Sequence, residues 1–276
     1  MKVLIVLSLA IVFVSAFGKK KPASPIYIRD LPKKTPRKFS ITNGYRAYDG
    51  QFPYQVGLYM KFDFLCEGLC SGSIISNQWV LTAAHCVYNR NSVYIIYGTV
   101  DFLNPRLSIH VDSNNIWQHE DFNYSNLAND ICLINTPFIA FNDYIKKIML
   151  PPLNTRQFQF DGENAIVAGW GQTSDSSPPA CNILQYANFI IMNVYTCQLY
   201  YDPGIVQSDS ICVATSNGRS PCKGDSGGPL VLNRNKQQIG VMSYGSLHGC
   251  ENGFPVVFTK VTSYLEWIKD ISGVYY

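Results

Sequence analysis

The stretch 222–230, Cys-Lys-Gly-Asp-Ser-Gly-Gly-Pro-Leu, surrounds a serine with residues that suit nucleophilic chemistry. A serine hydroxyl is a weak nucleophile unless a base takes its proton and hydrogen-bond donors stabilise the oxyanion that forms. Gly224 lets the backbone turn so that its own N–H and that of Ser226 can converge on one oxygen, and Gly227 and Gly228 leave room for that turn. Taken alone, the same stretch also fits a glycine-rich hairpin loop.

Two further stretches carry groups that could complete such a site. Residues 79–86, Trp-Val-Leu-Thr-Ala-Ala-His-Cys, place His85 among small apolar side chains. Residues 129–134, Asn-Asp-Ile-Cys-Leu-Ile, place Asp130 at the head of an apolar strand. Alone, these are typical of a hydrogen-bonded core histidine and a strand-start aspartate. Together with Ser226, in the order His, Asp, Ser, they supply a base, an acid that orients it and a nucleophile.

The chain resembles the chymotrypsin family of serine proteases in these stretches and in several others. The further matches are 41–44 (Ile-Thr-Asn-Gly), 169–171 (Gly-Trp-Gly), 243–245 (Ser-Tyr-Gly) and the last helix, so the resemblance covers nearly everything after residue 40. Residues 52–58 and 254–259 are most similar to the arthropod chymotrypsin-like, brachyurin-type branch.

The resemblance implies a catalytic role for each of the three residues. Ser226 would be the nucleophile, His85 the general base and then acid, and Asp130 the group that orients the imidazole. The N–H groups of Gly224 and Ser226 would hold the oxyanion, and Ser243 would hydrogen-bond near Asp130.

The resemblance also implies a substrate-binding site. Three residues would pair with the substrate backbone as an added strand: Ser243, Tyr244 and Gly245. Ser220 would form the floor of the specificity pocket; without an aspartate there, binding of Arg or Lys is disfavoured. Val256 on the inner wall should shorten the pocket and favour Leu, Met or smaller groups, while Lys223 lies at the rim.

The start of the chain predicts export and processing. Residues 1–16 have a charged start, an apolar run and a small-residue end, as in a signal peptide. Residues 17–40 are a basic pro-segment, and 41–276 would be the protease domain. The resemblance implies that a new amino group on Ile41 pairs with Asp225 after cleavage. Because Ser40, not Arg or Lys, precedes Ile41, we expect cleavage after Ser40 or a trimming step.

Charge and composition exclude several classes of partner. Residues 17–40 hold eight basic residues and one acid, whereas residues 41–276 hold 13 basic and 18 acidic residues, a net charge of −5. The overall charge of +3 therefore resides in the pro-segment, and nucleic-acid binding is not indicated. No stretch after the signal is long and apolar enough to span a bilayer, so we expect a secreted, extracellular protein.

Nine cysteines in an exported chain indicate disulfides and one thiol left over. The resemblance implies three bonds: Cys70–Cys86, Cys197–Cys212 and Cys222–Cys250. Ala165 and Leu232 stand where many relatives have another bond. We expect Cys132 to be a buried free thiol and Cys66–Cys181 to form a fourth bond.

The implied fold is all-β: two antiparallel six-stranded β-barrels with the site in the cleft between them. By motif position the halves would be 41–150 and 151–261. Apolar and β-branched runs predict strands at 54–59, 93–97, 131–134, 165–168, 238–242 and 256–259. Only 262–271 has helical spacing, which predicts a C-terminal helix.

The predicted function is a secreted serine endopeptidase with chymotrypsin-like or elastase-like preference for apolar residues before the cleaved bond. The alternative is a catalytically silent homologue that binds other proteins or acts as a cofactor. The partners would be protein or peptide substrates, an activating protease and protein inhibitors, and the chain would be a monomer. No cofactor or metal is expected, because His110, His119 and His248 are scattered and Asp101 has no carboxylate cluster around it.

Overall fold

A computed structural model describes residues 41–42, 44–62, 65–177, 182–216 and 218–276, without the side chains of 61–62 and 65–67. The predicted signal peptide and pro-segment lie outside the described residues. No helix in the described part of the chain is long and apolar enough to cross a membrane.

Fourteen strands, three short α-helices and three 3₁₀ helices (Ser113–Asn115, Leu153–Thr155 and Val261–Ser263) make up the described secondary structure. The strands are β1 (Tyr45–Arg46), β2 (Gln55–Phe62), β3 (Leu65–Ser76), β4 (Trp79–Thr82), β5 (Ser92–Tyr97), β6 (Leu107–Asp112), β7 (Ile116–Gln118), β8 (Cys132–Asn135), β9 (Asn164–Gly169), β10 (Gln185–Met192), β11 (Ser210–Ala214), β12 (Pro229–Leu232), β13 (Gln238–Tyr244) and β14 (Val256–Lys260). The helices are α1 (Ala84–Val87), α2 (Val194–Gln198) and α3 (Leu265–Ser272). All six predicted strands and the C-terminal helix are present, with their ends within about three residues of the predicted ones.

The N-terminal sheet is a curled half-barrel of seven strands in the order β6-β5-β2-β3-β4-β8-β7. Its strand pairs are antiparallel, which places alternate side chains on one buried face. Val56, Leu58, Leu81 and Leu133 lie in that core at 0% exposure. Burial of this apolar face drives the sheet to curl around its own side chains.

The C-terminal sheet closes into a six-stranded barrel. The order β10-β11-β14-β13-β12-β9 returns to β10 through the β9–β10 pairing. Val167, Leu230 and Phe258 fill its core. Ala165 and Leu232, the positions that lack the additional disulfide, face each other as register partners on β9 and β12. The predicted all-β fold is thereby confirmed, with the N-terminal barrel present as a curled sheet.

The first strand of the chain does not follow the predicted division into halves at residue 150. Strand β1 does not join the N-terminal sheet but pairs with β10, at the edge of the C-terminal barrel. This crossing follows from Ile41, which is 1% exposed and packs in the core of the C-terminal barrel. In return α3 packs Leu265 and Ile268 into the core of the N-terminal sheet. The two ends of the described chain therefore tie the halves together.

Candidate active site

His85 and Asp130 form a buried pair in the N-terminal half. His85 lies on α1, directly after β4, and Asp130 lies two residues before β8, which pairs with β4. Asp130 Oδ1 accepts a hydrogen bond from the His85 backbone N–H at 2.8 Å, and Oδ2 lies 2.7 Å from Nδ1 of the ring. Because a carboxylate oxygen accepts, the ring hydrogen lies on Nδ1 and Nε2 can accept a proton.

Groups from the other half of the molecule hold Asp130 in place. Ser243 on β13 donates its hydroxyl to Asp130 Oδ2 at 2.5 Å, and Thr259 on β14 donates to the Asp130 carbonyl oxygen at 2.9 Å. Asp130 is fully buried and His85 is 6% exposed. A buried carboxylate needs such donors to offset lost hydration. The predicted contact between Ser243 and Asp130 is present.

Ser226 lies in the loop between Cys222 and β12 and is anchored to the N-terminal sheet. Its carbonyl oxygen accepts a hydrogen bond from the Ser71 N–H on β3 at 2.7 Å. Ser71 follows Cys70, and a disulfide joins Cys70 to Cys86, the neighbour of His85. One backbone hydrogen bond and one disulfide therefore connect the serine loop to the segment that carries His85; a hydrogen bond between Ser226 Oγ and His85 Nε2 is not among the described contacts.

The turn before Ser226 is shaped to present backbone N–H groups. Gly224 has φ +101°, a conformation that disfavours any side chain. Neither its N–H nor that of Ser226 has a backbone acceptor within the described ranges. Asp225, between them, donates its N–H to the Cys222 carbonyl at 3.0 Å. Two N–H groups on the same side of a tight turn can bind one oxyanion.

The Asp225 side chain is buried behind this turn. Its carboxylate accepts the N–H of Gly171 at 2.7 Å and that of Cys222 at 2.9 Å. Burial raises the pKa of Asp225 to about 7, against the smaller lowering effect of the two N–H groups. A Cβ on Gly171 would lie 2.5 Å from the Asp225 Cγ, so only glycine fits there.

Ile41, the residue expected to pair with Asp225, belongs to a segment that is hydrogen-bonded to the Asp225 loop. Ile41 is buried, and the next residue, Thr42, donates both its N–H and its hydroxyl to the carbonyl oxygen of Ser220 at 3.1 and 3.0 Å. Ser220 is two residues before Cys222, whose N–H contacts Asp225. The start of the described domain and the Asp225 loop are therefore held together.

A pocket of about 390 Å³, including its open mouth, lies beside Ser226. Its lining includes all the residues predicted for substrate specificity except Ser243: Ser220, Lys223, Tyr244, Gly245 and Val256. Val256 is 2% exposed, and its Cγ2 lies 3.5 Å from where a Cβ on Gly245 would be. The Ser220 hydroxyl donates to the Pro221 carbonyl at 2.8 Å, so this part of the lining carries an uncharged hydroxyl.

Some pocket residues were not identified from the sequence. Phe254 and Met242 add apolar lining, and Gly249 with Cys250 forms one wall. Phe254 was part of a stretch used for the resemblance, and its spacing from Val256 could have placed it on the same face. Nothing in the sequence singles out Gly249.

Three disulfides are present among the described cysteines: Cys70–Cys86, Cys197–Cys212 and Cys222–Cys250. They are the pairs that the family resemblance implies. Cys132 is a buried free thiol. Burial, together with the nearby Asp130 charge, raises the pKa of Cys132 well above its ordinary value. The expected Cys66–Cys181 bond lies outside the described residues.

Comparison with known proteins shows that the chain is similar to serine proteases. The protein-family model Trypsin matches residues 41–268. Serine protease 1 of Drosophila melanogaster is 41% identical over 253 residues, which cover 92% of this chain and 91% of the fly protein. Collagenase of Hypoderma lineatum is 40% identical over 275 residues, 99% of each chain. A solved structure of HL collagenase superposes with a TM-score of 0.79 at 40% identity, covering 86% of this chain and all of that one.

Proposed function

The chain belongs to the trypsin family of serine proteases, and on that premise we propose that it is a secreted endopeptidase that cleaves after apolar residues. The observation that carries the proposal is the buried His85–Asp130 pair, with Nδ1 and Oδ2 2.7 Å apart, beside a serine loop anchored to the same half. Residues 1–16 would direct export, and removal of 17–40 would release the active domain.

The mechanism assigns one step to each group. Ser226 Oγ attacks the carbonyl carbon of the scissile bond and passes its proton to His85 Nε2. The N–H groups of Gly224 and Ser226 hold the oxyanion, and Asp130 stabilises the imidazolium. His85 then gives the proton to the leaving amine, which leaves an acyl group on Ser226. A water molecule repeats the sequence in the second half-reaction and frees the serine.

Covalent labelling tests the proposal directly. A fluorophosphonate, which reacts only with an activated serine, should label the processed chain once, at Ser226, and heat-unfolded protein should stay unlabelled. Edman sequencing of the same sample should give Ile41 as its first residue. A folded, processed chain that takes up no label would support the silent-homologue alternative, and a first residue before Ile41 would contradict the proposed activation.

Cleavage before Ile41 should change how the stability of the folded chain depends on pH. In the uncut chain the pKa of Asp225 is about 7 instead of the ordinary 3.8, so the folded state binds this proton more tightly. Protonated Asp225 therefore stabilises the folded state. This stabilisation is fully present below about pH 4, and up to roughly 4 kcal/mol of it is lost as the pH rises through 7. A new ammonium group at Ile41 would favour the carboxylate and lower that pKa.

We therefore expect the melting temperature of the uncut chain to fall between pH 4 and 8 more steeply than that of the cleaved enzyme. Calorimetry at matched pH values would measure both. The uncut Asp225→Asn variant should lose most of the slope, because its side chain does not titrate. Parallel curves for cut and uncut protein would contradict the pairing.

Val256 should set the size of side chain that the enzyme accepts. Its side chain lines the pocket, with Cγ2 next to Gly245, so Val256→Gly should enlarge the site. We expect the kcat/KM ratio for substrates with Phe over Leu before the cleaved bond to rise about tenfold or more, since a few methyl groups of apolar fit are worth about 1–3 kcal/mol.

The matched control for Val256 is the next residue on the same strand. Val257 is equally buried but its side chain packs outside this pocket, with Cys197 and Tyr201. Val257→Ala should lower stability without changing the Phe/Leu ratio. An unchanged ratio in Val256→Gly would contradict the role given to Val256, and efficient cleavage after Arg or Lys would contradict the Ser220 floor.

Gly227 should be required for the position of Ser226. It has φ +79°, and a Cβ there would lie 2.2 Å from Thr82 Oγ1 and 2.4 Å from the Ser71 carbonyl oxygen. Gly227→Ala would push the serine loop away from β3, and a displacement of about 1 Å can cost 100-fold in rate. Kinetics normalised to the concentration of folded protein should show a loss of at least that size.

Gly162 provides the control for backbone strain alone. It has φ +80°, and a Cβ added there would meet nothing within 4 Å. Gly162→Ala should therefore cost about 1–2 kcal/mol of stability and leave kcat/KM unchanged. Equal kinetic effects of the two substitutions would show that close approach to β3 is not what Gly227 provides.

A further inference from the structure

One wall of the specificity pocket is held by an acidic side chain from a separate loop. Asp175 Oδ1 accepts the N–H of Cys250 at 2.6 Å, and its Oδ2 accepts the N–H of Glu251 at 3.1 Å. In return Glu251 Oε2 accepts the N–H of Asp175 at 2.7 Å. The two loops are 75 residues apart in sequence, and each provides a carboxylate for the backbone of the other.

The wall at this point consists of Gly249, which has no side chain, and Cys250, whose side chain is bonded to Cys222 by a disulfide. Gly249 and Cys250 line the pocket, and Gly249 has φ +111°. A Cβ on Gly249 would lie 2.4 Å from an oxygen of Asp175, so the carboxylate occupies the space behind the wall. Beside that disulfide, the Asp175 side chain holds the wall through two hydrogen bonds and by direct contact.

The loop that carries Asp175 is itself attached to the catalytic turn. Gln172 donates its N–H to the Lys223 carbonyl at 2.9 Å, directly before Gly224. Within the loop, Ser177 Oγ accepts the N–H groups of Thr173 and Ser174, and Gln172 Nε2 donates to the Ser177 carbonyl. Asp175 is thus presented from a braced segment and not from a free loop tip.

We propose that Asp175 is a specificity-determining positioning residue: its carboxylate sets how far the Gly249–Cys250 wall stands from Val256. The inference rests on the proposed protease function and deepens it. An apolar substrate side chain would lie between this wall and Val256, so its fit depends on a distance that Asp175 controls. Because Asp175 lies outside the pocket, it acts through the wall and touches no substrate.

Removing the carboxylate should relax the wall while leaving the catalytic groups in place. Asp175→Ala frees two N–H groups that water can satisfy, since the contact is at the surface. We expect KM for substrates with Leu before the cleaved bond to rise about three- to tenfold, and the Phe/Leu ratio of kcat/KM to rise by a similar factor. The kcat for each substrate should change less than about twofold.

Asp175→Asn should give a smaller shift, since an amide oxygen can still accept one of the two N–H groups while its NH₂ faces the other. Ser176→Ala is the control on the same loop, where the hydroxyl bonds only to that of Ser174 among the described contacts. It should leave the ratio and KM unchanged. Glu251→Ala combined with Asp175→Ala should shift the ratio by less than the product of the single effects, because both act on one contact.

All variants are quantified by fluorophosphonate titration of the processed enzyme before kinetics. Absence of labelling in the wild type would contradict the proposed function itself. Normal labelling with an unchanged Phe/Leu ratio in Asp175→Ala would overturn the inference alone. An equal loss of kcat/KM for every substrate, accompanied by a lower Tm, would also overturn it, because that pattern shows a merely structural contact.

Discussion

Ser226→Ala is expected to lower kcat by roughly 10⁶-fold with little change in KM. The substitution removes the nucleophile, and the His85–Asp130 pair then has no hydroxyl to deprotonate. The pocket and the substrate-binding strand stay intact, since the Ser71 N–H bonds to the backbone oxygen of residue 226 and not to its side chain. Progress curves with a sensitive peptide ester at high enzyme concentration would measure the remaining rate.

The residual rate of Ser226→Ala should still exceed that of the uncatalysed reaction by about 10³–10⁴, because the oxyanion donors and the bound substrate remain. The variant should melt within a few degrees of the wild type. A loss of less than about tenfold would show that another group is the nucleophile and would contradict the proposed mechanism.

Asp130→Asn should lower kcat by about 10⁴-fold, the second largest effect. In the native chain Asp130 Oδ2 receives both the His85 ring hydrogen and the Ser243 hydroxyl. The amide of the variant has only one oxygen, so its NH₂ group would face the His85 ring and donate to Nδ1. The ring would then carry its hydrogen on Nε2, which could no longer take the proton from Ser226. Steady-state kinetics between about pH 5 and 9 would record the loss.

Ser243→Ala is the comparison for Asp130→Asn. It removes one donor to Asp130 but keeps the carboxylate and the Nδ1 hydrogen, so kcat should fall by about 10- to 100-fold, the worth of one hydrogen bond to a charged group. A loss in Asp130→Asn no greater than that in Ser243→Ala would show that the tautomer of His85 is not what Asp130 controls.

Sequence reasoning identified those features that depend on a few residues with strong local preferences. Gly224 and Gly227 indicate turns because their positive φ values disfavour other side chains. The apolar run 238–242 forms a strand that is buried on both faces. That His85, Asp130 and Ser226 form one site was predicted from family resemblance, since periodicity alone does not group residues so far apart in the chain.

The features that were missed depend on long-range packing. Strand β1 is two exposed residues with no pattern of their own, and its place on the C-terminal barrel follows from the docking of Ile41. Asp175 is one of many surface acids in the sequence, and only the approach of two distant loops gives it backbone donors. The partial closure of the N-terminal sheet is likewise set by register between strands.

The burial of Cys132 has a consequence for the lifetime of the enzyme. In the folded chain its thiol is inaccessible and, with a raised pKa, stays protonated, so it does not attack the disulfides. Unfolding exposes that thiol and restores its ordinary acidity, and thiol–disulfide exchange can then rearrange the native pairs. Each excursion to the unfolded state therefore risks a mispaired chain, and durability is governed by the rate of unfolding instead of the equilibrium between states.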